Sequence, residues 1–220
     1  VNASAALPVS DAVSDEAAAM IEPLAVGFDA VRRGRITPSD RVLVVGVGPI
    51  GLTIVQWCRF MGVQHVVAND LAADRLDVAR QVGATAVVDG TRDDDVVAAY
   101  ERETGTTPTV IFEVVGAPGM IQRCIDMAGY RTRVVVVGVC MEPDTILPVE
   151  AIQKALDVSF CYGYTRDDFA YIITMIEQGR LDPTPIVTST IGVDEFSETF
   201  ERLKGRTEQL KVLLDPRGGS

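Results

Sequence analysis

The chain has 220 residues, 47% of them hydrophobic, which suits a folded α/β protein and excludes a disordered one. Its 20 basic and 31 acidic residues leave a net charge of −11, which repels phosphate backbones and argues against a nucleic-acid partner. No apolar run approaches membrane-spanning length, and no basic segment followed by an apolar one opens the chain, so neither a membrane partner nor a secretory leader is expected.

Residues 1–14 read as an extended, Ala-rich piece, and a helix starts near Ser14. Ser14 suits an N-cap, with Asp15 and Glu16 favourable to the helix dipole in the first turn, while Pro23 should kink or restart the helix. Then strands and helices alternate. Strands are expected at Arg41–Gly46, His65–Asp70, Ala86–Asp89, Val110–Val114, Arg133–Val137 and Val158–Tyr162. Helices between them are expected at Pro49–Met61, Ala72–Val82, Asp94–Glu103, Pro118–Met127 and near Val149–Leu156. Past residue 165 come a helix over Asp167–Gln178, a turn at Pro183 and Pro185, a helix over Asp194–Leu203 and a last strand, Leu210–Leu214. The closing Gly-Gly-Ser reads as a linker remnant.

Such alternation demands parallel pairing, because each crossover helix must pack back onto the sheet. The strands lack polar alternation, as expected when helices cover both faces. The fold class is therefore α/β, a doubly wound parallel sheet, with residues 15–165 as its body and 166–220 as a C-terminal extension. The strand at Val158–Tyr162 should lie at one edge, and unprotected edges invite pairing. Cys58, Cys124, Cys140 and Cys161 are too irregularly spaced for a zinc knuckle or a disulfide framework. Four reduced core thiols and a cytoplasmic location are expected.

Gly46-Val-Gly48-Pro49-Ile50-Gly51 reads G-x-G-x-x-G, directly after an apolar strand and at the opening of a helix. In that context Gly46 permits the tight turn, Gly48 lets backbone approach a pyrophosphate, and Gly51 lets helix and strand pack closely. The pyrophosphate would sit at the helix N-terminus, where free N–H groups and the dipole stabilise negative charge. Asp70 ends the next strand about 20 residues on, the spacing of the acid that accepts hydrogen bonds from the adenosine ribose. A carboxylate there would repel a 2′-phosphate, and Leu71-Ala72-Ala73 offers no nearby base to compensate, so the cofactor expected is NAD. Arg75, one turn on, either flanks the adenosine or is a solvated helix charge.

Several runs together carry a family likeness: Glu22-Pro-Leu-Ala-Val-Gly27, Arg32-Arg-Gly34, Val42 to Leu52, Gly83-Ala-Thr85, Phe112-Glu-Val-Val-Gly116, Val136-Val-Gly-Val139 and Lys211-Val-Leu-Leu214. In this order they resemble the zinc-dependent medium-chain alcohol dehydrogenases, nearest the polyol branch of sorbitol and threonine dehydrogenases. The resemblance implies reversible hydride transfer between an alcohol or polyol and NAD, with zinc polarising the alcohol oxygen in the full-length parent. It also implies that Val114, Val115 and Gly116 line the cofactor and that Val137, Gly138 and Val139 hold the nicotinamide. Backbone near Phe160 to Tyr162 would bond its carboxamide. Glu22 of the Glu-Pro-Leu motif is either part of the zinc shell or simply the residue before a proline. A homo-oligomer, dimer or tetramer, is expected by the same likeness.

The family's GroES-like catalytic domain, with its cysteine and Gly-His-Glu zinc ligands, has no counterpart here. Residues 1–14 resemble the tail of that domain, and residues 210–214 the strand returning to it. The sole histidine, His65, opens a strand of the nucleotide half. The chain is therefore expected to be a cofactor-binding part that binds NAD and catalyses nothing alone. A nucleotide-binding module without chemistry and a zinc-free quinone or enoyl reductase are the alternatives; Asp70 speaks against the second, which usually takes NADPH.

Overall fold

The computed structural model describes residues 6–205 and 208–217, so the Gly-Gly-Ser close and residues 1–5 of the N-terminal piece lie outside the described residues. Six short apolar segments form one parallel sheet: β1 (Arg41–Val45), β2 (His65–Asp70), β3 (Ala86–Asp89), β4 (Val110–Glu113), β5 (Arg133–Val136) and β6 (Asp157–Phe160). Their order is β3-β2-β1-β4-β5-β6, so the winding reverses between β1 and β4 and opens a crevice at the strands' carboxyl ends. This is the doubly wound α/β fold, with β6 at the edge as expected. Strand limits depart from expectation by one or two residues, mostly at the carboxyl ends, where the chain leaves the ladder to build loops.

Both faces of the sheet are buried, and the period of two is visible in the core. Val42, Val44, Val110, Phe112 and Val135 pack on one side with α2 (Ile21–Arg33), α3 (Pro49–Phe60), α4 (Ala73–Gln81) and α8 (Arg166–Glu177). Leu43, Val45, Ile111, Val134 and Val136 pack on the other with α5 (Val96–Thr104) and α6 (Met120–Met127). The remaining crossover helix, α7 (Pro148–Gln153), is shorter than expected.

Ser14 caps α1 (Asp15–Ala19), its hydroxyl accepting from the Ala17 N–H at 3.2 Å. The helix restarts at Ile21, which places Pro23 in the first turn of α2, where a missing N–H costs nothing. The Trp57 indole N–H of α3 donates to the Leu24 carbonyl of α2 at 2.8 Å, so the buried indole nitrogen is satisfied across that seam. At the far side of α2, Arg32 grips Asp168 of α8 with two hydrogen bonds of 2.6 and 3.0 Å.

Two expectations need correction. A strand, β7 (Val187–Gly192), follows the proline turn and pairs in parallel with β8 (Lys211–Asp215), with α9 (Phe196–Leu203) between them. Its Thr188-Ser189-Thr190 centre carries no apolar run, which hid it from a reading based on hydrophobic pattern. The four cysteines are free, but only Cys58 and Cys124 are buried; Cys140 and Cys161 sit half-buried in loops after β5 and β6. Among the described residues no helix is long and apolar enough to cross a membrane.

Tyr100 of α5 is fully buried, and among the described residues its hydroxyl has no hydrogen-bond partner. An unsatisfied buried hydroxyl costs more than the bond it could have made. Tyr100→Phe should therefore raise stability by about 1 kcal/mol; a thermal melt that shifts downward would contradict this.

Candidate functional site

The glycine loop sits at the head of the crevice. Gly46 leaves β1 at a φ of +90°, a left-handed geometry that glycine adopts without strain. A Cβ there would also lie 2.8 Å from Val115 Cγ2. Gly51, in the first turn of α3, packs directly on the loop: a Cβ would fall 2.1 Å from the Gly46 carbonyl oxygen. Gly48 is the opposite case. It caps α3 in an extended conformation, and among the described residues beyond its two chain neighbours nothing lies within 4 Å of where its Cβ would be. That open space lies before the unpaired N–H groups of a 12-residue helix, so it could hold an anion such as a pyrophosphate.

Two cavities flank the loop. The first, about 420 Å³, is lined by Gly46, Gly48, Asp70 and Arg75, and the second, about 570 Å³, by Glu22, Ile50, Val137, Gly138, Val139 and Tyr162. Val114 and Val115 line both, so the cavities meet over the end of β4. A two-part ligand with a charged middle fits this layout. Pro49, Gly51 and Gly116 line neither and act from behind as support. Phe160 stands outside both, its ring exposed on the edge strand, while its neighbours Cys161 and Tyr162 face the second cavity.

Asp70 is held by the backbone: its Oδ2 accepts from the Val47 N–H at 2.9 Å, and its Oδ1 from those of Leu71 and Ala72 at 2.8 and 3.0 Å. A carboxylate offers about four acceptor positions, so roughly one remains for a ligand hydroxyl. The expectation that no base stands nearby is corrected here. Arg75 Nη1 lies 3.8 Å from Asp70 Oδ2, because one turn of α4 returns it to the end of β2, and Arg123 lines the same cavity.

Glu113 went unnoticed in the sequence. It is 1% exposed, and its Oε1 accepts from the Val115 and Gly116 N–H groups, both at 2.8 Å. The loop after β4 is thereby fixed, and Gly116 packs backbone to backbone on Gly138, where a Cβ would lie 2.2 Å from the Gly116 nitrogen. The available signal was a single acid closing the otherwise apolar Val-Ile-Phe-Glu. The Tyr164 hydroxyl, likewise unanticipated, donates to Glu22 Oε1 at 2.9 Å. That bond holds the Tyr164 pKa above its usual value. The Cys161 thiol donates to Asp29 Oδ2 at 3.2 Å; burial and then that bond push its pKa up to about 12, leaving a thiol rather than a nucleophile at the cavity wall.

Glu22 is a competent zinc ligand on the second cavity, but a zinc site needs at least three protein ligands. Among the described residues no group of three His, Cys, Asp or Glu side chains is placed to hold a metal. His65 opens β2, at the opposite end of the strand from the crevice. The described residues by themselves do not make up a zinc site.

A family model described as zinc-binding dehydrogenase matches residues 49–178. The (R,R)-butanediol dehydrogenase of Bacillus subtilis (strain 168) is 31% identical over 94% of this chain and 59% of its own length. The sorbitol dehydrogenase of Gallus gallus is 33% identical over 97% of this chain and 60% of its own. An alcohol dehydrogenase of Escherichia coli CFT073, solved with NADH, superposes with a TM-score of 0.87 at 27% identity, covering 97% of this chain and 63% of that one. The chain thus spans about 60% of the length of the curated relatives named here.

Proposed function

Because the chain belongs to the zinc-binding dehydrogenase family, we propose that it is the NAD-binding part of an alcohol or polyol dehydrogenase. One observation carries this reading: the glycine loop, with its open Gly48, shares a cavity with the anchored carboxylate of Asp70. The adenosine end would enter the first cavity, where Asp70 accepts from one ribose hydroxyl and Arg75 stands beside it. The pyrophosphate would lie over Gly48 at the start of α3. The nicotinamide would enter the second cavity against Val137, Gly138 and Val139, with backbone near Tyr162 toward its carboxamide.

Bound there, NAD supplies the hydride acceptor for oxidation of a small-molecule alcohol. The chain's own residues bind and orient the cofactor, and the apolar wall of the second cavity would exclude water from the nicotinamide. Glu22 is the one residue we read as belonging to a zinc shell in the whole enzyme. Alone it completes no metal site, so the chain by itself is read as a binding module without turnover. The bare edge at β6, with Phe160 exposed, supports self-association, which sedimentation over a range of concentrations would reveal and a constant monomer would refute.

Calorimetry of NAD against NADP tests the central claim. A 2′-phosphate would meet the Asp70 carboxylate, and Arg75 moderates that repulsion without removing it. NAD should bind about tenfold more tightly than NADP, since like charges brought together cost a few kcal/mol less partial compensation. Equal affinities would remove the ribose role of Asp70.

A further inference from the structure

The first cavity has one wall that neither the glycine loop nor Asp70 accounts for. It comes from α6, which contributes Met120 and Arg123, one turn apart on the same helix face. Arg123 is exposed, and among the described arginines its side chain is the one with no hydrogen bond, ion pair or ring contact. In a chain with 31 acids that is unusual. Asp126 stands three residues further on, yet its carboxylate accepts from the Gln122 amide at 2.6 Å instead. The guanidinium therefore lines the cavity without a carboxylate partner to give up.

The β2 side of the cavity adds aliphatic surface from Leu71 and Ala72. Leu71, at the end of β2, is 58% exposed, and Gly90 after β3 makes room for it, since a Cβ on Gly90 would sit 3.0 Å from Leu71 Cδ2. Asp70 and Arg75, which would take the sugar, come from the β2 side of the crevice, whereas Arg123 comes from the β4 side. A flat, electron-rich ring attached to that sugar would lie between the two walls.

We propose that Arg123 stacks its guanidinium on the adenine ring and sets the affinity of the adenosine half. The proposal rests on the reading that the first cavity takes that half. A guanidinium is planar, delocalised and weakly hydrated, so it stacks on aromatic faces where an ammonium does not. No ion pair has to be broken for it to do so.

The test is calorimetry of the purified 220-residue chain with NAD and with AMP, for the parent, Arg123→Ala and Arg123→Lys, at about 0.1 M and about 1 M salt. Arg180→Ala, which removes the same charge from an arginine resting on Phe60, serves as the control. Arg123→Ala should weaken NAD and AMP by the same factor, about tenfold, the size of a partly desolvated cation–π contact. The factor should persist at high salt, Arg123→Lys should recover little of it, and Arg180→Ala should bind like the parent. Unchanged binding by Arg123→Ala overturns the proposal. So does full recovery by Arg123→Lys, or a loss that disappears at high salt, because either would mean charge rather than stacking. If the parent binds neither NAD nor AMP, the underlying reading of the site is what fails.

Discussion

Replacing Gly51 by alanine is expected to destabilise the chain by about 3 kcal/mol, the upper range for overpacking, whereas alanine at Gly48 should leave stability within about 1 kcal/mol and still empty the site. The difference lies in what the added methyl group meets. At Gly51 it would fall 2.1 Å from the Gly46 carbonyl oxygen and 3.0 Å from the carbonyl carbon, and neither atom can yield without moving the whole loop. At Gly48 it meets no atom within 4 Å among the described residues beyond its two chain neighbours, and the backbone there is one alanine adopts freely. The methyl group would instead occupy the space before α3 into which a pyrophosphate would fit. NAD affinity in Gly48→Ala should fall at least tenfold, about 1.4 kcal/mol, with a chemical melt shifted by no more than a change of about 1 kcal/mol implies. Denaturant unfolding and calorimetry on the two variants separate these outcomes. A Gly48→Ala chain that binds NAD like its parent would show that the ligand does not pass over this residue.

Asp168→Ala should cost about 2–3 kcal/mol, because it removes charge-assisted hydrogen bonds from a nearly buried carboxylate. Asp168 closes the capping box of α8, accepting from the Thr165 N–H at 2.7 Å while Thr165 Oγ1 accepts from its own N–H. It also takes both prongs of Arg32, which ties α8 to α2 behind the wall that carries Glu22. Burial alone would raise the Asp168 pKa, but the Thr165 bonds and then Arg32 outweigh it and hold the carboxyl below the usual carboxylate range. A lowered folded-state pKa means the stabilisation is complete above the unfolded value, about 3.9, and is lost as pH falls through the folded value. The gap between parent and Asp168→Ala should therefore be full at neutral pH and close in acid. A gap that stayed constant down to the lowest pH at which the parent folds would assign the loss to packing rather than to the ionised pair.

Much of this molecule lies in local pattern. Six strands and the helices between them could be placed within a few residues, because an apolar strand or an amphipathic turn is a property of neighbouring residues. The glycine loop and Asp70 belong to one strand-helix-strand unit, so their spacing alone implied a shared cavity, and they do share one. The capping role of Ser14 was legible for the same reason. Helix ends were less so: α7 stops at Gln153, three residues before its apolar pattern does.

What escaped depended on partners remote in the chain. Tyr164 meets Glu22 across 142 positions, and Arg32 meets Asp168 across 136. The pairing of β7 with β8 draws on two half-buried segments that signal little separately. Arg123 looks like any surface arginine of a helix until the strand order sets α6 across from Leu71. Local stereochemistry and burial period are written into short stretches of residues, and they dictated the architecture and the glycine loop. Which side chains converge on the crevice follows from the order in which the strands pack, a cooperative choice of the entire core that no short stretch encodes.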